Sequence, residues 1–303
     1  MCFLLFGLTV LQVRAQRGSY ESPAVWHATQ TVTNTENKAE FVQREGTPLK
    51  IVLHFPKGEY VEAPVVVWLP PYWDSPSTSR CPIKYLTKFG YVVACVEYRS
   101  SKVAPFPAQL YDCKAAVRWL RLNAAQYHLA ADHIAVYGAV GGAHLAALLG
   151  TTGDIKELEG TDNPGASSKV QAVCAISPPV NFSLIKTNES YLASAYVAPA
   201  RLLGGPIGDL PEEAQVANPS RYADYKSAPF FIVQGTRDWT NPQYQSVLLH
   251  YSLASKGVRT QLKLVRGWHF TEPPEEVVYD MHFFLEKYLK VRKVYPTGDG
   301  AVQ

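Results

Sequence analysis

Methionine is rare in this chain, cysteine is sparse, and neither charged nor apolar residues form a long run. There are 2 Met and 5 Cys in 303 residues. No C-x-x-C pair and no His-rich spacing occurs, so the sequence carries no zinc-site or dithiol-redox signature, and neither a metal nor a cofactor is expected. Two cysteines, Cys95 and Cys174, fall inside the strand-like runs YVVACVEY and VQAVCAIS, where a small buried thiol is the commoner role. If a bridge forms, Cys81 with Cys113 is the favoured pair. Charge is nearly balanced, with 29 Lys and Arg against 26 Asp and Glu and a net of +3. No dense basic stripe exists to follow a phosphate backbone, which sets nucleic acid aside as a partner. Long apolar runs are missing too. Residues 1–15, MCFLLFGLTVLQVRA, are too short to span a bilayer and end in Val-Arg-Ala before Gln16, as a signal-peptidase site does. A signal peptide over 1–15 is therefore expected, with a secreted or periplasmic mature chain that has no integral membrane segment. No basic residue precedes that run, and a buried first strand is the alternative reading.

What is present is enough apolar material, 47% of residues, to build one large core. Residues 16–47 are polar and read as an exposed edge strand or a loose arm. The main domain is expected over 48–292, with a tail at 293–303. Within it, LKIVLHF (49–55), APVVVWL (63–69) and YVVACVEY (91–98) have strand character. The nearly continuous Val-rich runs indicate strands covered on both faces, hence a parallel sheet between helices. The segment 107–127 places Leu110, Ala115, Val117, Trp119, Leu120 and Ala124 largely on one face, as a crossover helix would. Strand and helix patterns then alternate: HIAVYG, GAHLAALLG, VQAVCAIS, PFFIVQG, QYQSVLLHYSLASKG, TQLKLVRG and PEEVVYDMHFFLEKYLK. Repeated β-α-β units give an α/β fold with a doubly wound, mostly parallel sheet. The Pro- and Gly-rich stretch at about 178–228 breaks this rhythm and reads as a small cap-like insertion over the C-terminal edge of the sheet.

One strand-to-helix junction carries a chemical signature with a gap in it. A nucleophile elbow, G-x-S-x-G, needs small residues around a sharply turned serine. Here that junction reads Gly138-Ala139-Val140-Gly141-Gly142. Valine offers nothing to attack with. A β-branched residue also tolerates the positive φ of such a turn badly, so the turn is expected to be either relaxed or strained, and its φ decides which.

The residues around the junction match a known pattern in order: Glu97-Tyr98-Arg99, Ala104-Pro105-Phe106-Pro107, Asp112 with Lys114 to Leu120, His144 to Asp154, and Leu202-Leu203-Gly204-Gly205. Over residues 45–290 the chain resembles bacterial carboxylesterases of the α/β-hydrolase superfamily, the group of BD-FAE-type feruloyl and acetyl-xylan esterases and hormone-sensitive-lipase-like esterases. The resemblance implies an α/β-hydrolase fold with a serine at the place of Val140. It also implies an acid after the seventh strand, matched by Asp238, and a histidine after the eighth, matched by His269. In such a triad the aspartate orients the imidazole and the imidazole takes the nucleophile's proton. The local alternatives are a turn residue for Asp238 and a locally bonded loop histidine for His269.

A second departure lies after strand APVVVWL, where the resemblance implies a glycine-rich oxyanion motif and this chain has Pro70-Pro71-Tyr72-Trp73. Proline has no N–H to donate, which leaves Tyr72 and Gly141 as the expected oxyanion donors. Trp73, Trp239 and Trp268, with Tyr72 and Phe270, fall on loops at the expected substrate edge and are candidate platforms for a sugar or phenolic ring, ordinary packing under the cap being the alternative. Three functions follow. The first is a carboxylesterase-like pseudoenzyme that keeps a pocket for a small ester or carbohydrate or phenolic ligand. The others are an altered hydrolase working through His269 and Asp238, and a non-catalytic exported binding domain.

Overall fold

The computed structural model describes residues 31–32, 35–59, 62–185 and 193–289. The expected signal peptide and C-terminal tail lie outside them. In chain order the elements are β1 (Thr31–Val32), β2 (Glu36–Arg44), β3 (Thr47–His54), β4 (Gly58–Glu59), β5 (Ala63–Leu69), β6 (Val92–Val96), α1 (Ala108–Leu122) and α2 (Ala124–Tyr127). They continue as β7 (Leu129–Ala139), α3 (Gly141–Thr151), β8 (Ala172–Ile176), α4 (Ala193–Leu203), α5 (Pro211–Val216), β9 (Phe230–Gly235), α6 (Tyr244–Ser255), β10 (Thr260–Val265) and α7 (Val278–Leu289). β1 pairs antiparallel with β4. The other eight strands form one sheet in the order β10-β9-β8-β7-β5-β6-β3-β2, in which β3 alone runs against the rest. The α/β-hydrolase expectation is met.

Alternation along the strands explains why both faces are covered. Val65, Val67 and Leu69 of β5 pack with Val92 and Ala94 of β6 on one face, beneath Leu120 of α1 and Leu145 of α3. Val66 and Trp68 point the other way with Cys95 and Tyr137, beneath Met281 and Leu285 of α7. A period of two on a strand thus builds two cores from one apolar run. The first strand of the sheet starts at Glu36, inside the segment expected to be an arm. Its intermediate and exposed residues suit an edge strand bonded on one side only.

The cysteine pairing differs from the expected one. Cys81 is bridged to Cys95, while Cys113 and Cys174 are free and buried. Cys113 sits on α1 in the core of the opposite face, so the sheet stands between it and Cys81. Helix α1 also buries more than its apolar stripe. Asp112 accepts from Arg44 and Arg99, and Lys114 and Arg118 both meet Glu159. The stretch at 178–228 holds α4, α5 and short 3-10 turns, and Phe182 in its first turn packs on Trp73 and His144.

Candidate active site

Strand β7 and helix α3 meet at Val140, whose φ is 48° and ψ −111°. The turn is therefore strained, the second of the two outcomes posed by the sequence. Its neighbours enforce it. Val140 N–H donates to Ile176 O at 2.8 Å, and Val140 O accepts from His144 N–H at 3.0 Å. A Cβ on Gly142 would lie 2.1 Å from Leu69 O, and one on Gly138 would lie 2.3 Å from Gly142 backbone atoms. The helix can approach the sheet this closely only because both positions are glycine. The elbow is intact as a backbone, and its tip carries an isopropyl group.

The acid and the base come together as expected. Asp238 lies in the turn after β9, and its Oδ2 accepts from His269 Nδ1–H at 2.8 Å. That bond assigns the proton to Nδ1 and leaves Nε2 as the basic nitrogen. Two residues not foreseen from the sequence hold the carboxylate. Asn241 N–H donates to Oδ1 at 2.8 Å, and Gln234 Nε2 donates to Oδ2 at 3.1 Å. Gln234 is itself held by Ser246 Oγ, which donates to Oε1 at 2.6 Å, while Asn241 Nδ2 donates to Ser177 O at 2.6 Å. A lone Gln in the otherwise apolar strand PFFIVQG was the available sequence signal.

The oxyanion side is different from the expectation. Gly141 N–H, the expected donor beside the nucleophile position, donates to Pro71 O at 2.9 Å. Tyr98 Oη donates to Pro70 O at 2.7 Å, and Trp73 Nε1 donates to Gly141 O at 3.0 Å. The Pro70–Trp73 loop is thereby tied down with a carbonyl dipole where a substrate oxyanion would need N–H groups. A carbonyl there repels developing negative charge.

Trp73 is not a ligand platform. It is 5% exposed and packs edge-on against His144 and Phe182, with centroids 5.4 and 5.8 Å away. Tyr72, Trp239 and Trp268 are more than half exposed. Of these, Tyr72 lines a cavity of about 140 Å³ whose wall includes Trp68, Pro70, Pro71, Pro82 and Thr271. The rim carries the Arg80–Glu272 ion pair at 2.8 Å. The cavity lies between the oxyanion-side loop and the loop that bears His269. Beneath the elbow, burial pushes His144 down to about 4, and its Nδ1 is within 3.0 Å of Pro179 O.

Comparison with known proteins agrees with this geometry. The BD-FAE family model matches residues 53–253, more than half of the chain. Esterase LipQ of Mycobacterium tuberculosis is 27% identical over 176 residues, 58% of this chain and 41% of its own length. Esterase LipC of the same organism is 26% identical over 52% of this chain and 39% of its own. The chain thus spans less than half the length of these curated relatives. Among solved structures, a bifunctional GH43-CE protein of Bacteroides eggerthii superposes with a TM-score of 0.75 at 27% identity, covering 84% of this chain and 38% of that one. A truncated carbohydrate esterase from gut microbiota gives 0.71 at 24% identity, covering 88% and 99%. The match of the family model, the eight-stranded sheet and the elbow geometry together place this chain in the BD-FAE family of carboxylic-ester-hydrolase-like α/β-hydrolases.

Proposed function

We propose that this protein is a catalytically silent member of its family that binds a small acyl or carbohydrate ligand beside the former active site. The observation that carries the reading is the junction at Val140. No nucleophile stands on the elbow, and the adjacent Gly141 N–H is engaged by Pro71 O. Loss of a serine nucleophile costs about 10⁶-fold in rate in the best-studied protease, and loss of one oxyanion donor about 10²- to 10³-fold. Either deficit would cripple an esterase. The 140 Å³ cavity is small beside common ligand sites of about 300–1,000 Å³, which favours an acetyl-sized group or part of one sugar ring over a long acyl chain. The carbohydrate-esterase neighbour lends that ligand class support by analogy.

The Asp238–His269 bond favours a second reading, in which the imidazole activates water for slow hydrolysis. Hydrolysis of p-nitrophenyl acetate by the native protein and by His269→Ala separates the two. The first reading expects both at the buffer background, with acetylated sugars still protecting the protein against thermal unfolding. Native turnover that vanishes in His269→Ala would replace it with the second. No turnover and no ligand protection would leave the third function, an exported domain that binds some other partner.

A further inference from the structure

The disulfide lies beside a buried imidazole on the face of the sheet covered by α7. In the antiparallel β3–β6 register Val52 is opposite Cys95 and His54 opposite Val93, so His54, two residues from Val52, shares a face with Cys95. Cys81 reaches the same spot from the loop after Trp73. A ring nitrogen of His54 and both sulfur atoms lie within 4.8 Å of one another. Among the described residues, no other three His, Cys, Asp or Glu side chains gather this closely with that ligand set. His54 is 5% exposed, and its Nδ1 has no well-formed hydrogen bond, although Glu36 Oε2 stands 3.3 Å away. A buried ring nitrogen without a well-formed hydrogen bond is costly.

We propose that His54, Cys81 and Cys95 form a binding site for a thiolate-preferring divalent cation, zinc in the first place, when the disulfide is reduced. A dithiol reductant supplies two electrons and two protons and becomes a cyclic disulfide, and the S–S bond opens to two thiols. Metal binding then releases both thiol protons and forms two metal–sulfur bonds and one metal–nitrogen bond. Two thiolates and one imidazole are a soft donor set that suits zinc in tetrahedral coordination, with Zn–S about 2.3 Å and Zn–N about 2.0 Å. Those bond lengths require the sulfurs to stand about 3.8 Å apart. Cys95 is held inside β6, so Cys81, partly exposed on its loop, makes the adjustment. Water takes the fourth position. The same loop forms one wall of the ligand cavity through Arg80 and Pro82. Disulfide and metal are thus alternative clasps for that wall.

The test is a cobalt(II) titration of the full chain after reduction by a water-soluble phosphine. The phosphine takes the oxygen of one water molecule, becomes the phosphine oxide and leaves two thiols. The reduced protein is expected to bind one equivalent of cobalt, with thiolate charge-transfer absorption and tetrahedral ligand-field bands that zinc abolishes. The oxidised protein should show neither. His54→Gln should weaken binding by about tenfold or more, whereas the double variant Cys113→Ala, Cys174→Ala should bind as the native chain does. The proposal is overturned by absence of the absorption after reduction, by equal binding in the oxidised protein, or by loss of binding in a Cys113→Ala, Cys174→Ala variant whose near-ultraviolet circular dichroism matches that of the native chain. The comparison of oxidised with reduced native protein needs no substitution, so misfolding of a variant cannot obscure the outcome.

Discussion

At Val140 the backbone holds the sharp turn of a nucleophile elbow, and the side chain on it is an isopropyl group. Holding a non-glycine residue in such a conformation costs about 1–3 kcal/mol. In an active esterase that cost is repaid by the exposed nucleophile. Here only the packing of the surrounding glycines and strands sustains it. Truncating a half-buried valine ordinarily destabilises, but Val140→Ala removes the β-branch from the strained position. Its unfolding free energy in urea should stay within about 0.5 kcal/mol of the native value. A loss above about 2 kcal/mol would show that the packing of the isopropyl group outweighs the strain it carries.

His144 makes a separate prediction at the same scale. Its pKa falls from 6.5 to about 4 because burial disfavours the imidazolium, only partly offset by the Pro179 carbonyl. A depressed folded-state pKa means that the unfolded chain binds more protons below pH 6.5. The stability associated with the neutral ring is therefore fully present above pH 6.5 and lost as pH falls toward 4, by about 3 kcal/mol. The slope of unfolding free energy against pH in that window should flatten in His144→Phe. An unchanged slope would assign the acid sensitivity to other groups.

Among the elements, the strands were readable because Val-rich alternation is local. APVVVWL occupies the span expected of it, and β9 and β10 begin within a residue of theirs. The elbow was readable from its glycines between a strand and a helix, and Asp238 and His269 from the resemblance, which implies an acid and a histidine after the seventh and eighth strands. Partners across the fold were not. Nothing in Pro70-Pro71 says that the Pro71 carbonyl turns toward Gly141, nor does Trp73 announce its burial, which depends on His144 and Phe182 arriving from other segments. The charged side of α1 was hidden in the same way. Read as a helix with one apolar stripe, it also buries Asp112 between Arg44 and Arg99. Removing one member of a buried ion network leaves the others uncompensated, so Asp112→Ala should cost about 3 kcal/mol or more in denaturant unfolding. The exposed Lys263–Asp280 pair should matter by less than about 1 kcal/mol when broken, and an equal effect at both sites would refute the distinction.

For the whole molecule, the sheet joins two cores and one tether. The Cys81–Cys95 bridge spans 14 residues and attaches the oxyanion-side loop to the interior strand β6. Closing a loop of that size is worth about 3 kcal/mol at most in the chain-entropy model. Reduction should lower stability by up to that amount without unfolding a sheet whose eight strands are otherwise uncut, as near-ultraviolet circular dichroism before and after reduction would record. Loss of all tertiary signal on reduction would mean that the bridge sustains the fold itself.

On the proposed reading, a valine on the elbow and a proline-bearing loop beside it leave the Asp238–His269 pair without esterase activity. This reading is tested most directly by measuring kcat/KM on p-nitrophenyl acetate for the native protein, Val140→Ser and the double variant Val140→Ser, Pro71→Gly. The prediction is background turnover for the native chain, little gain for Val140→Ser while position 71 has no N–H to donate, and a further rise of about 10²-fold when that backbone N–H is restored in the double variant. Efficient turnover by the native protein would contradict the account.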